Sequence, residues 1–433
     1  MISRRGFIRG LGALAAVPAV SIETHDALAA PRGASPAWPA NDDPRYWAKI
    51  RQQFDLKSDA VFFNTATLGA PARVVNEAVA ASMNRLTSTL AEWSYKPDTP
   101  NWIAGYSAED PVRRKLAALI HAADHQEIAL TQNATMGLSF VAAGLDLASG
   151  DEIIQTDQEH IGARSCWELL QKRRSVVWKT VTLPVPANDP QEIVRLVEAA
   201  ITPKTRVIAW PHITSGLGVV HPVREICALA RSRGIFTVID GAQAIGQIPV
   251  DVQAIGCDAY AGSPHKWLLA PAGNGFLYLR RDSAPRVWTT VASGEWANEK
   301  DPGLRLQQRG TGNLPLVVGL DAAIDFHLQV GSERWFGRIK ALGDHLRSRL
   351  RDVPGAVIAS STHPAMCAGM TTWKLGDHQP YEMVDRIWER ARIRPRAVSA
   401  IWGMRTSTMI YNSEAEIDRL IAAALAVAKG ATG

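Results

Sequence analysis

Cysteine is scarce in this chain: Cys166, Cys227, Cys257 and Cys367 are the four thiols among 433 residues, and they lie far apart. No C-x-x-C pair and no metal-ligand spacing joins them, so no metal site is expected. Internal repeats and low-complexity tracts are absent, which excludes solenoids and arrays. Beyond residue 30 no stretch of eighteen uncharged apolar residues occurs, so no membrane anchor is expected. Charge of one sign is nowhere concentrated. The formal net charge is +5, but Lys and Arg are spread along the chain, which is not a nucleic-acid footprint. What remains is a chain with 46% apolar and 21% charged residues, the composition of a two-domain enzyme with a large core.

The first thirty residues have a different character. Ser3-Arg4-Arg5-Gly6-Phe7-Ile8-Arg9 is followed by a weakly apolar Ala/Gly-rich run over 10–20 and then by the small-residue step Ala27-Leu28-Ala29. A basic start, a short apolar run and an A-x-A step are the order of a cleaved export signal. The paired arginines before Phe7 resemble the twin-arginine signal of bacteria. That resemblance implies export of a folded, cofactor-loaded protein to the periplasm, with the export machinery as a partner. Folding in a reducing compartment favours buried free thiols over two disulfides. Residues 31–60, opening on a Pro/Ala/Asn-rich stretch, read as a tether and arm.

From 61 to 305 short β-rich runs alternate with helix-period stretches. The expected strands are 128–131, 152–156, 176–181, 207–210, 236–239, 259–261 and 275–279; helical stretches include 111–122, 191–200 and 223–233. This alternation predicts an α/β fold: a three-layer α/β/α large domain around a mostly parallel seven-stranded sheet. A smaller C-terminal α/β domain is expected over 306–433, opening with a helical segment near 316–350. Ligands in such folds sit beyond the carboxyl ends of the strands. Polar residues do follow five of these strands: Gln132 to Thr135, Glu159-His160, His212 with Thr214-Ser215, Asp240 to Gln243, and Ser263 to Lys266.

Lys266 carries the chemical argument. A lysine just past a buried strand, in a crevice, loses solvation; its amine then becomes a nucleophile toward an aldehyde. Asp240 ends an uninterrupted apolar run, Phe236 to Ile239. Its carboxylate can pair with a protonated pyridine nitrogen or can cap the following helix.

Asp240-Gly241-Ala242-Gln243 followed by Ser263-Pro264-His265-Lys266 resembles the cofactor-binding signature of class V aminotransferases and cysteine desulfurases. The stretch from His265 through Trp267, Pro271, Gly273 and Gly275 to Phe276 is similar to the isopenicillin N epimerase-like branch of these fold-type I enzymes. Pro264 departs from the family pattern, which prefers a small non-proline residue there, and would stiffen the turn. The resemblance implies pyridoxal 5′-phosphate (PLP) held by Lys266 as a Schiff base, with Asp240 at the ring nitrogen and Gln243 at the phenolic oxygen. It implies that Ala134 and Thr135, in Asn133-Ala134-Thr135-Met136-Gly137, cradle the phosphate together with Ser263 and His265. It places the His160 imidazole on the ring as a proton relay, so Lys266, His160 and Asp240 are the expected catalytic residues. Thr311, in Arg309-Gly310-Thr311-Gly312, is implied to reach the phosphate of a neighbouring subunit, hence a homodimer with shared active sites. Arg405, in Met404-Arg405-Thr406-Ser407, is implied to grip a substrate α-carboxylate, the work suited to a planar guanidinium. Phe62-Phe63-Asn64-Thr65-Ala66 resembles the family's N-terminal stretch, which implies that Asn64 lines the substrate side.

The stretch before Arg405, from Ile393 to Gly403, contains no cysteine, and Cys367 lies too far upstream. A persulfide mechanism therefore lacks its nucleophile. The expectation is an exported PLP enzyme acting on the free α-amino-acid group of a small molecule or peptide-derived metabolite through an external aldimine. Aminotransferase-like chemistry is expected first. An epimerase or a C–S/β-lyase is the alternative, and a non-catalytic PLP-fold binding protein is the alternative of another class.

Overall fold

Val61-Phe62 forms a two-residue strand, β1, and seven strands then follow at the spacing that the apolar runs predict: β2 (Ile128–Thr131), β3 (Glu152–Thr156), β4 (Val177–Val181), β5 (Thr205–Pro211), β6 (Phe236–Asp240), β7 (Ala259–Gly262) and β8 (Gly275–Leu279). This computed structural model describes residues 45–92 and 109–429; the stretch expected to act as an export signal lies outside the described residues.

Strands β2 to β8 make one sheet in the order β2-β8-β7-β6-β5-β3-β4. The pairs among β7, β6, β5, β3 and β4 are parallel, and β8 alone is antiparallel to both its neighbours. Side chains alternate between the faces of a strand. In β5, Val207 and Ala209 join one core with Leu138, Val141 and Trp167, from helices Ala134–Gly144 and Ile161–Arg174. Ile208 and Trp210 join the other core with Ile193, Ile226 and Ile324, from helices Pro190–Ala200, Val223–Arg231 and Leu314–Val330. Both faces are covered, so nearly every position in β5 to β8 is apolar and buried.

A third core lies toward the C-terminus. Strands β9 (Ala356–Ile358), β10 (Met370–Leu375), β12 (Arg396–Ser399) and β13 (Gly403–Ser407) form an antiparallel sheet ordered β12-β13-β10-β9. Helices Ser332–Arg351, Pro380–Ala391 and Glu414–Ala428 pack with it. Strand β1 runs parallel to β11 (Ile393–Arg394), and Asn64 bridges to Ser407. Val61 and Phe63 belong to this C-terminal core. Residues 61–70 therefore run from the C-terminal sheet toward the large sheet.

The single helical segment expected over 316–350 is two helices, Leu314–Val330 and Ser332–Arg351, bent by 82°. Gly331 separates them at φ +92, a conformation open to glycine that ends the first helix. The first of these helices packs in the large-sheet core; the second begins there with Trp335 and Ile339 and continues into the C-terminal core with Leu342, Leu346 and Leu350. Among the described residues no single helix is long and apolar enough to cross a membrane. All four cysteines are free; Cys166 is partly exposed and the others are buried.

Candidate active site

Lys266 stands on the turn that follows β7. The turn is closed by Lys266 N–H donating to Ser263 O (3.1 Å) and by Ala270 N–H donating to Pro264 O (3.1 Å). Leu269, buried in the same turn, takes the left-handed φ of +60, a local strain that the packing must hold. From above, the arm presses on the turn: Gly69 N–H donates to His265 O (2.9 Å). A Cβ on Gly69 would lie 1.9 Å from Lys266 O, so only glycine permits this approach. Among the described residues the Lys266 ammonium has neither a hydrogen bond nor an ion pair. Burial pushes its pKa down to about 8; Asp240 opposes that shift, and Arg405 and Arg396 reinforce it.

Asp240 closes β6 in register with Ala261 of β7. Its Oδ1 accepts the Ala242 N–H (2.9 Å), a local cap, while Oδ2 has no partner among the described residues. Behind it, the Tyr260 hydroxyl meets His212 Nδ1 at 2.9 Å, and His212 N–H donates to Asp240 O. Burial pushes His212 down to about 4, so this ring is neutral. Glu159 accepts the Thr156 N–H (3.3 Å), and burial with the Asp240 charge raises its carboxyl well above the carboxylate range. His160 caps helix Ile161–Arg174 by accepting the Gly162 N–H on Nδ1 (3.1 Å). Desolvation by the crevice walls, then Lys266, Arg396 and Arg405, push its imidazole below the usual value, against the pull of Asp240. A neutral His160 at neutral pH can accept a proton.

The N-terminus of helix Ala134–Gly144 opens on the same crevice. Asn133 caps it through Oδ1 from Met136 N–H (2.9 Å), and Ser263 Oγ accepts the Ala134 N–H (3.0 Å). The Thr135 amide has no acceptor among the described residues, and its side chain is exposed. A Cβ on Gly162 would fall 2.3 Å from Thr135 Oγ1 and 3.1 Å from His160 Nδ1, which shows how closely these groups converge. His265 Nδ1 meets Asn274 O at 2.7 Å, leaving Nε2 directed elsewhere. Gln243 is more committed than the sequence indicates: Nε2 donates to Ala66 O (2.9 Å), and Oε1 accepts the Trp267 indole N–H (2.8 Å).

On the substrate side, Arg405 in β13 is only 2% exposed. Nη1 donates to Ser215 O (2.6 Å); Nη2 donates to Asn64 Oδ1 and to Thr67 Oγ1, both at 3.0 Å. Its Nε is buried without an acceptor. No carboxylate among the described residues pairs with this cation, and burial together with Arg396 lowers its pKa. Arg396 donates to the same Thr67 Oγ1 (2.6 Å), and Thr67 donates to Asn64 Oδ1 (2.7 Å). Sequence reasoning missed Thr67, Tyr260 and the role of Arg396. No sequence signal pointed to Arg396, since its place opposite Arg405 is set by the register of β12 on β13.

Lys266, Asp240, His160, Thr135, Ala134, Ser263, His265, Gln243, Asn64 and Arg405 thus converge. Thr311 does not: it is exposed on the loop before helix Leu314–Val330, with no contact to these residues of its own chain. The open Lys266 amine, the free Asp240 oxygen and the open helix N-terminus fit an aldehyde whose ring bears a basic nitrogen and whose tail bears a phosphate.

Residues 61–420 match the family model described as Aminotransferase class-V. The chain is 33% identical over 395 residues to isopenicillin N epimerase of Streptomyces clavuligerus, covering 86% of this chain and 96% of that protein. It is 30% identical over 338 residues to cysteine desulfurase of Serratia proteamaculans, covering 72% and 80%. A solved structure of C-DES with glycine covalently linked to its PLP cofactor superposes with a TM-score of 0.77 at 25% identity, covering 87% of this chain and 98% of that one. Another structure of the protein is described as the cystine C–S lyase C-DES with its product cysteine persulfide; it superposes with a TM-score of 0.75 at 25% identity.

Proposed function

The chain belongs to the class V aminotransferase family of PLP-dependent enzymes, and from that premise we propose that it removes the Cα proton of a small molecule or peptide-derived metabolite bearing a free α-amino-acid group. The observation that carries this reading is Arg405, a buried guanidinium with no carboxylate partner among the described residues, beside an open lysine amine. A bidentate clamp on an α-carboxylate satisfies that cation. PLP, when bound, supplies the electron sink that makes a Cα proton acidic. Asp240 would hold the ring nitrogen protonated, and the Thr135 amide and hydroxyl, with His265, would receive the phosphate. Lys266, with its amine near neutrality, takes and returns the proton, and neutral His160 stands as the second base.

Epimerisation is the reading favoured by the relatives of longest coverage. C–S cleavage is the second reading, favoured by the likeness to the cystine lyase. Transamination begins with the same proton removal and is the third outcome. A thiolate persulfide route has no support: burial pushes Cys166 up to about 12, and Cys367 lies buried against Pro364 O.

The test is to incubate the loaded enzyme with candidate amino acids in deuterated water. Deuterium at Cα with loss of optical rotation supports epimerisation; pyruvate and a sulfur product support the lyase; pyridoxamine phosphate supports transamination. Retention of the Cα proton in every substrate would overturn the proposal. K266A should lose the borohydride-trapped cofactor and all turnover.

Export by the twin-arginine route to the periplasm and assembly as a homodimer with Thr311 crossing to the neighbouring site are part of the same proposal. The order of residues 3–29 supports the first, and the exposure of Thr311 supports the second. Retention of an R4K/R5K variant in the cytoplasm tests export.

A further inference from the structure

We propose that the substrate carries a second carboxylate, which Arg396 receives at the mouth of the site while Arg405 holds the α-carboxylate. The proposal rests on the reading of an amino acid at Arg405. Arg396 and Arg405 are directly opposed across the antiparallel pair β12–β13, so both project from one face of the sheet. Like charges placed directly opposite repel, and a sheet built only for stability avoids them. Here the two guanidinium groups are closer still, because both donate to the single oxygen Thr67 Oγ1, at 2.6 and 3.0 Å. The Thr67 proton is turned to Asn64 Oδ1, so neutral acceptors alone face the pair.

Neither arginine has an ion pair among the described residues, although most arginines of this chain that form one find a carboxylate within 3.3 Å. The acidic groups of the crevice do not supply the missing charge. Asp240 faces Lys266, and Glu159, whose carboxyl is pushed well above its ordinary value by burial and by the Asp240 charge, accepts the Thr156 N–H. One α-carboxylate therefore leaves one guanidinium uncompensated.

Depth assigns the two roles. Arg405 is buried beneath the arm, with Asn64 and Ser215 fixing its plane, whereas Arg396 is exposed on the edge strand. The hairpin tip packs Trp402 over Gly216; a Cβ there would lie 2.6 Å from the indole and 3.5 Å from a Val398 methyl. A terminal carboxylate on the substrate side chain supplies the charge that the exposed Arg396 lacks. The substrate class is an α-amino acid whose side chain ends in a carboxylate.

The experiment titrates the loaded enzyme with ω-carboxy α-amino acids of increasing chain length and with their ω-amides, following the cofactor's visible band and then kcat/KM. At least one acid should bind on the order of 10-fold more tightly than its amide, the low end of the range for a hydrogen bond made to a charged group. The preference should shrink at high salt. R396Q should remove it by weakening the acids, and R396K should restore part of it. Equal binding of acid and amide at every length, or a preference that survives R396Q, overturns the proposal. If no amino acid moves the band of an enzyme whose Lys266 traps the cofactor, the reading at Arg405 fails and this one fails with it.

Discussion

Arg113 and Arg405 are both buried arginines, yet their surroundings are opposite. Arg113, on helix Asp110–Leu119, engages each of its three nitrogens with its own protein: Nε on Ile128 O (2.8 Å), Nη1 on Asp110 (3.0 Å), and a two-pronged contact from Nη1 and Nη2 to Asp301 (3.0 and 2.5 Å). Arg405 meets a carbonyl, an amide oxygen and a hydroxyl, keeps an orphaned Nε, and has a second arginine for a neighbour. Burying an unpaired cation costs several kcal/mol. A fold that pairs one buried arginine completely and leaves another open is storing binding capacity at the second. The lesson extends to lysine: Lys115 lies between Asp321 and Asp325 at 2.7 Å, whereas Lys266 has no such partner.

The comparison can be broken most directly at the paired arginine. D301A leaves Arg113 buried with half its charge partners gone, and should cost about 3–5 kcal/mol of stability, read as a lowered urea midpoint with little change in KM. At the open arginine the pattern should invert. R405M should lower kcat/KM on the order of 100-fold, the loss of a charged clamp, while the protein unfolds no earlier than wild type. An R405M protein that unfolds as readily as D301A would erase the distinction.

A smaller effect sharpens the comparison at Lys266. Its native pKa of about 8 lies below the ordinary 10.5, so between those values the unfolded chain binds a proton that the folded one does not. Stability of the cofactor-free protein should therefore rise with pH from about 8 toward 10.5, and K266M should flatten that rise. Capture of an aldehyde by the same amine, measured by borohydride trapping, should rise with a midpoint near pH 8. A midpoint near the ordinary lysine value would place the amine in free solvent.

The seven strands of the large sheet were legible because buried parallel strands are short, continuous apolar runs between helix-period stretches; β6 and β8 are found where Phe236 and Gly275 open such runs. Lys266 and Asp240 could be placed in the crevice for a related reason, since a crevice forms where strands end, while their roles came from the resemblance of the motifs around them. The break at Gly331 was not, because an apolar pattern continues across it and a single glycine is tolerated in a helix. Gln243 was read as a group free for a ligand, whereas its contacts with Ala66 and Trp267 depend on an arm and a turn distant in the chain.

The order of apolar runs and turn residues determined the three-layer fold through local periodicity, whereas the chemistry of the crevice came from the resemblance carried by the motifs after the strands. Tertiary structure alone decided which charges are left unpaired. Arg396 and Arg405 look like any two arginines until antiparallel pairing sets them opposite each other and the arm brings Thr67 between them. Pairing of charges is a matter of distance across the fold, which spacing along the chain does not encode.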